Sequence, residues 1–131
     1  MAGLQVLEEQ FGAQGLRVMG FYSNDFGKQG GSDEQIKGVT AKFGLTHAQF
    51  AVAPVIGDSA RPVFQWLLGH DNPGPKSGAM APNWNFHKWL VSREGEMLAS
   101  FDTRSYPGKD PSAAAWKDHE MVKAITAALG S

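Results

Sequence analysis

At 131 residues the chain is long enough for one domain with a single core. Twelve basic against thirteen acidic side chains leave a net charge of -1, and no segment concentrates Lys and Arg, which argues against a nucleic-acid partner. The chain contains no cysteine, so no disulfide, thiolate metal site or thiol chemistry comes from these residues. No apolar run approaches the roughly 20 residues of a membrane-spanning helix, and no signal peptide opens at Met1.

Leu4, Leu7 and Phe11 recur at helical spacing before Gly15, so a short first helix is expected. The apolar run "LRVMGFYS", residues 16 to 23, reads as a strand buried on both faces. A glycine-rich loop, "NDFGKQGG", follows. Ser32 with Gln35 three positions on forms a capping box for a second helix that carries Ile36, Val39 and Phe43 and stops at Gly44. "QFAVAPVIG", residues 49 to 57, reads as a second strand whose later part leaves the ladder at Pro54. Pro62 suits the first turn of a third helix with Val63, Trp66 and Leu67 on one face. Then comes a long loop, residues 69 to 83, of a length often tied to function.

Phe86 to Val91 and Glu96 to Phe101 flank "SREG" as a hairpin. Ser112 is expected to cap one last helix that carries Trp116, Val122, Ile125 and Leu129 and ends at Gly130. Alternation of helices and strands indicates an α/β layered domain, taken as one unit over residues 1–131. The chain opens with a helix leading into a buried strand, without the parallel strand that a right-handed crossover normally joins to it.

Few residue patterns point to chemistry. His47, His70, His87 and His119 lack paired metal-ligand spacing, so they are read as surface or hydrogen-bonded side chains and no metal site is expected. "GDSAR" lacks the second glycine of a nucleophile elbow and reads as a helix cap, and "GKQGG" and "GPKSG" do not fit a phosphate loop. Asp102, Arg104 and Tyr106 read as a solvated loop. Two stretches stand out. "GFYSNDFGKQ" puts Gln29 on a loop at the C-terminal end of a strand, where open α/β sheets bind ligands, and Trp84 and Asn85 stand side by side where the long loop enters the hairpin.

"GLRVMGFYSNDFGKQ", "SDEQIK", "RPVFQWL" and "WNFHKWLVSREGEMLASFDTRSYP" follow one another in an order and spacing that resembles the glutathione peroxidase family. The resemblance covers nearly the whole chain and is most specific at "WNFHKWLVSREG". It implies a thioredoxin-like sheet with flanking helices, a peroxide substrate, a thiol reductant such as glutathione or thioredoxin, and no cofactor. In that family a cysteine or selenocysteine is oxidised by peroxide, and a Gln, a Trp and an Asn complete the site. By motif position these are Gln29, Trp84 and Asn85. Amide and indole N–H groups suit the role, because they stabilise an anionic nucleophile and a polarised peroxide oxygen.

This sequence departs from the family at several points. Asp25 stands where Gln is frequent, Gly30 where Glu is frequent, and Thr40 where some members keep a resolving cysteine. The family's first, central strand and the loop with its nucleophile belong just before "AGLQVLEEQF". Three expectations follow: the chain as given does not run the peroxidase cycle; its exposed strand edges find partners, either by residues 16–22 moving across to pair with residues 86–91 inside one chain or, the favoured route, by edge pairing or element swapping in a homodimer; and the native gene extends upstream of Met1. A selenocysteine codon misread as a stop is one history for that gene, and a truncation or a cysteine-free paralogue is the other. The alternative function is a non-catalytic binding or assembly module on the same scaffold.

Overall fold

The computed structural model describes residues 2–25, 31–43, 45–55, 61–68, 87–101 and 104–130. Its elements are helix α1 (Ala2–Phe11), strand β1 (Met19–Phe21), helix α2 (Asp33–Phe43), strand β2 (Ala48–Phe50), helix α3 (Pro62–Leu68), strands β3 (Lys88–Val91) and β4 (Met97–Phe101), and helices α4 (Ala114–Lys117) and α5 (Glu120–Leu129). The chain divides into two compact units. One comprises Met1–Tyr22, Gly31–Val52 and Tyr106–Ser131, and the other Ser23–Gly30 and Ala53–Ser105.

In the first unit β1 and β2 pair in parallel, with Met19, Gly20 and Phe21 opposite Ala48, Gln49 and Phe50. The Phe21 and Phe50 rings stack at 4.4 Å on one face of the pair. Leu7, Ile36, Leu45, Trp116, Met121, Val122 and Ile125 form the buried apolar set of this unit. Helix α5 contributes Met121, Val122 and Ile125, which lie on one face at helical spacing. Trp116 stacks on Phe11 at 6.0 Å.

Polar side chains of α1 fix the two strands. Gln5, buried to 7% exposure, points its side-chain carbonyl at the start of β2. That oxygen accepts from the backbone N–H of Thr46 at 2.9 Å, the backbone N–H of His47 at 3.1 Å and His47 Nδ1 at 2.7 Å. The Gln5 amide nitrogen donates to Thr46 Oγ1. One turn along, Glu8 Oε1 accepts the Val18 N–H at 2.9 Å. The register of a parallel pair depends on such long-range anchors, because no tight turn joins its strands.

Both anchors shape β1. The expected strand over residues 16–23 pairs over only three residues, and Met19 is 55% exposed, so it is not buried on both faces. The reason lies in where the backbone is held: the Leu16 N–H donates to Phe11 O and the Val18 N–H to Glu8, which takes residues 16–18 out of the ladder. Gly15 reaches φ 117° and closes the single 3-10 turn over Gly12–Gln14 that follows α1.

The capping box stands as read. The Ser32 N–H donates to Gln35 Oε1 at 2.8 Å and the Gln35 N–H to Ser32 Oγ at 3.2 Å. The single last helix does not. Ser112 Oγ donates to Asp110 Oδ1 at 2.6 Å instead of capping, and Ala113 takes the cap position without a side-chain bond. The chain then breaks into α4 and α5 at His119, whose Nδ1 accepts the Met121 N–H at 3.1 Å as the cap of α5.

The second unit holds the hairpin. β3 and β4 are antiparallel, with Trp89 opposite Ser100 and a register shift between Leu90 and Val91. Ser92 builds the turn: its Oγ accepts the N–H groups of Glu94 and Glu96, and Gly95 adopts φ 84°. Val55, Phe64, Met97 and Phe101 are buried. In α3 Phe64 is buried and Val63 and Trp66 are half-buried, while the side chain of Leu67 lies outside the description. Pro62 opens α3 as its first residue.

Gln5→Leu strands the His47 N–H and Nδ1 donors in a buried site. We expect a loss of about 2–3 kcal/mol in urea unfolding at neutral pH; a change below about 0.5 kcal/mol would show that the anchor is dispensable.

Candidate functional site

Gln29, Trp84 and Asn85 lie outside the described residues, so the geometry on either side of them carries the description. Gly20 gives Gln49 its room, since a Cβ there would lie 3.0 Å from Gln49 Oε1. That oxygen accepts from the Tyr22 hydroxyl at 2.6 Å, and the Gln49 amide nitrogen donates to His47 O at 3.2 Å. Burial pushes the Tyr22 hydroxyl pKa up, which keeps it a donor. The last residue before the loop is thereby tied to β2.

Within the loop Asp25 is held on both sides. Its N–H donates to Ser23 Oγ at 3.1 Å, and its Oδ2 accepts the Val55 N–H at 2.7 Å. A carboxylate in place of the family's frequent Gln is therefore an acceptor for a backbone group. On the downstream side Gly31 has φ 70°, followed by the Ser32–Gln35 box. In the sequence Gln29 stands two residues before Gly31.

Trp84 and Asn85 precede a cluster at the hairpin mouth. His87 Nε2 and Ser100 Oγ are 2.6 Å apart across the ladder. The His87 ring lies 4.6 Å from that of Trp89, and Trp89 meets Phe64 edge to face at 5.4 Å. Lys88 Nζ donates to Ser105 O. In the sequence Asn85 is two residues and Trp84 three residues before His87. The Trp89 indole N–H is buried with no hydrogen-bond partner among the described residues.

The histidines have structural roles. His87 bonds Ser100, His119 caps α5, and His47 is 3% exposed beneath Gln5. His70 lies outside the described residues, as does Asp102. Among the described residues no group of three or more His, Asp or Glu could hold a metal ion. Tyr106 accepts the Gly3 N–H on its hydroxyl at 3.2 Å, so it docks on the first turn of α1. A Cβ at Gly3 would come within 2.5 Å of the Tyr106 ring.

Sequence reasoning missed Gln5, Glu8 and Trp89, took Asp25 only as a departure from the family pattern, and placed Tyr106 in a solvated loop. The one available signal was Gln5 itself, a polar residue between Leu4 and Leu7 in an apolar helix pattern. Its partners are 41 and 42 residues away.

His47 sets a pH dependence. Because backbone N–H groups fix Gln5 Oε1 as an acceptor, His47 Nδ1 carries the proton and Nε2 the lone pair, buried with no partner among the described residues. Burial lowers the His47 pKa below 6.5, against a smaller raising effect of Glu8. The unfolded chain then binds the proton more readily. Stability is full above pH 6.5 and falls as pH drops below it, at up to about 1.4 kcal/mol per pH unit. His47→Asn keeps a donor toward Gln5 and does not titrate. Urea unfolding of this variant between pH 7.5 and about 5.5 should be flatter than that of the parent; parallel curves would exclude His47 as the cause.

A sequence model of the family described as glutathione peroxidase matches residues 1–68. A hydroperoxy fatty acid reductase of Synechocystis sp. is 36% identical over 111 residues, covering 80% of this chain and 65% of the relative. A glutathione peroxidase-like peroxiredoxin of Schizosaccharomyces pombe is 35% identical over 107 residues, covering 80% of this chain and 66% of the relative. A second hydroperoxy fatty acid reductase of Synechocystis sp. is 31% identical over 131 residues, covering 98% of this chain and 74% of the relative. The chain spans just under two thirds of the length of the first two relatives.

Proposed function

Because the chain belongs to the glutathione peroxidase family, we propose that it supplies the hydrogen-bond donor part of a thiol- or selenol-dependent peroxide-reducing site, with Gln29, Trp84 and Asn85 as the donors. The observation that carries this reading is the motif "WNFHKWLVSREG": the described part of it forms the hairpin that the family pattern implies, and His87, two residues beyond the doublet, bonds Ser100. In the reaction a chalcogen anion attacks one peroxide oxygen, an S–O or Se–O bond forms, the O–O bond breaks, and the leaving oxygen takes up a proton and departs as water or an alcohol, which leaves a sulfenic or selenenic acid. Indole and amide N–H groups act on the two charged atoms of that step, the nucleophile and the leaving oxygen. Two thiol equivalents, from glutathione or from a thioredoxin dithiol, then return the nucleophile to its starting state, becoming a disulfide as the oxygen leaves in water. The relatives' names favour fatty-acid hydroperoxides among the possible substrates.

The attacking atom does not come from these 131 residues, which contain no cysteine. Methionine gives only a sulfoxide and has no resolving partner here. The purified chain should therefore consume neither hydrogen peroxide nor a fatty-acid hydroperoxide catalytically, with glutathione or with a thioredoxin system. Sustained turnover in a coupled NADPH assay would overturn this. An inert chain that captures a partner would favour the second reading, a non-catalytic binding module on the same scaffold.

We further infer a homodimer. Residues 1–131 are read as one thioredoxin-like domain, and β1–β2 and β3–β4 as pieces of its sheet without the family's first strand. Among the described residues each sheet has two strands, and a two-stranded sheet is marginal without a further strand or a covering layer. Pairing with a second copy supplies one. Light scattering on the eluting protein should give twice 14.1 kDa; a monomer at high concentration would contradict the edge-pairing account.

A further inference from the structure

Glu8 and Arg17 lie on the same side of α1 and the turn after it, carry opposite charges, and are not paired with each other among the described residues. Each is held by the backbone instead. Glu8 Oε1 accepts the Val18 N–H at 2.9 Å, while Arg17 Nη1 donates to Gly12 O at 2.9 Å and Leu16 O at 2.7 Å. A methyl group placed at Gly12 would lie 3.7 Å from Glu8 Cγ and 3.8 Å from Arg17 Nη1, so the two chains face one another across the space this glycine leaves. Gly12 does not have a positive φ, so backbone conformation does not demand glycine there.

These three residues line one open cleft of about 540 Å³, within the size range of small-molecule sites. Val18, Met19 and Ala48 make its apolar side, and Met19 is 55% exposed. The backbone bonds use one oxygen of the carboxylate and one nitrogen of the guanidinium. Glu8 Oε2 and the Nη2 and Nε groups of Arg17 stay available beside those backbone bonds. An anchored guanidinium fork suits a carboxylate, and an anchored carboxylate suits an ammonium group. A ligand with only one of these charges would leave the opposite protein charge beside it unmatched.

We propose that this cleft binds a small zwitterionic α-amino acid with an apolar side chain. The ligand carboxylate sits on Arg17, its ammonium on Glu8, and its side chain over Met19 and Ala48. This site does not depend on the peroxide-reducing reading and involves none of Gln29, Trp84 and Asn85.

The test is a titration of the full chain, by calorimetry and by backbone amide NMR, with leucine, methionine and phenylalanine as probes. At least one should bind saturably at millimolar concentration, with shifts at Gly12, Val18 and Ala48. Its N-acetyl derivative, which lacks the ammonium, and its amide, which lacks the carboxylate, should each bind at least about tenfold more weakly. Glu8→Gln keeps an acceptor for the Val18 N–H and removes the charge, and Gly12→Leu fills the gap; both should weaken binding by a similar factor. No saturable binding by any of the three probes overturns the proposal. So does equal binding of the one-charge derivatives, a result read on the unmodified chain and independent of whether a variant folds.

Discussion

A single buried amide oxygen organises the first unit. Gln5 Oε1 receives three donors from Thr46 and His47, and those donors lie immediately before β2. A parallel strand pair has no hairpin to set its register, so an outside reference is needed. Helix α1 supplies it twice, through Gln5 to β2 and through Glu8 to Val18 just before β1. The consequences reach the ends of both strands: Phe21 falls opposite Phe50, Gly20 opposite Gln49, and Tyr22 finds the Gln49 oxygen. The glycine-rich loop starts from that fixed point. The Glu8 anchor also holds one wall of the cleft beside Arg17.

Local features were legible in the sequence because both partners sit within a few residues. Ser32 and Gln35 form their box, Pro62 opens α3, Gly15 turns left-handed, and "SREG" turns between β3 and β4. Features that depend on distant partners were not. The apolar run from Leu16 looked like a fully buried strand, yet α1 draws its first residues away through Phe11 O and Glu8. Ser112 had the residue type of a cap but found Asp110 two positions back. His119 is outside the usual cap residues and takes that role with its imidazole nitrogen. For the site, the sequence offers residue types and motif order alone, whereas Asp25 on Val55 and His87 on Ser100 join positions 30 and 13 residues apart and needed coordinates.

The chemistry of the site rests on a division between donors and nucleophile. Indole and amide groups make durable hydrogen-bond donors in an oxidising site, because they stabilise anions without being readily oxidised themselves. The low-pKa thiol or selenol is the reactive half, and residues 1–131 do not contain one. Thr40, in the place where some family members keep a resolving cysteine, is satisfied locally, its hydroxyl donating to Ile36 O at 2.8 Å within α2. Family membership and the hairpin that follows the Trp84–Asn85 doublet are what the proposed donor set rests on.

That account requires Gln29, Trp84 and Asn85 to be close in space, and NMR on isotope-labelled protein tests this directly. The Trp84 indole N–H should show cross-relaxation with the side-chain amide protons of both Gln29 and Asn85. Cross-peaks between Trp89 and Ser100 report the hairpin and serve as the internal control. The account predicts both sets of peaks. Hairpin peaks present while those from the Trp84 indole to Gln29 and Asn85 are absent would contradict a preassembled donor cluster.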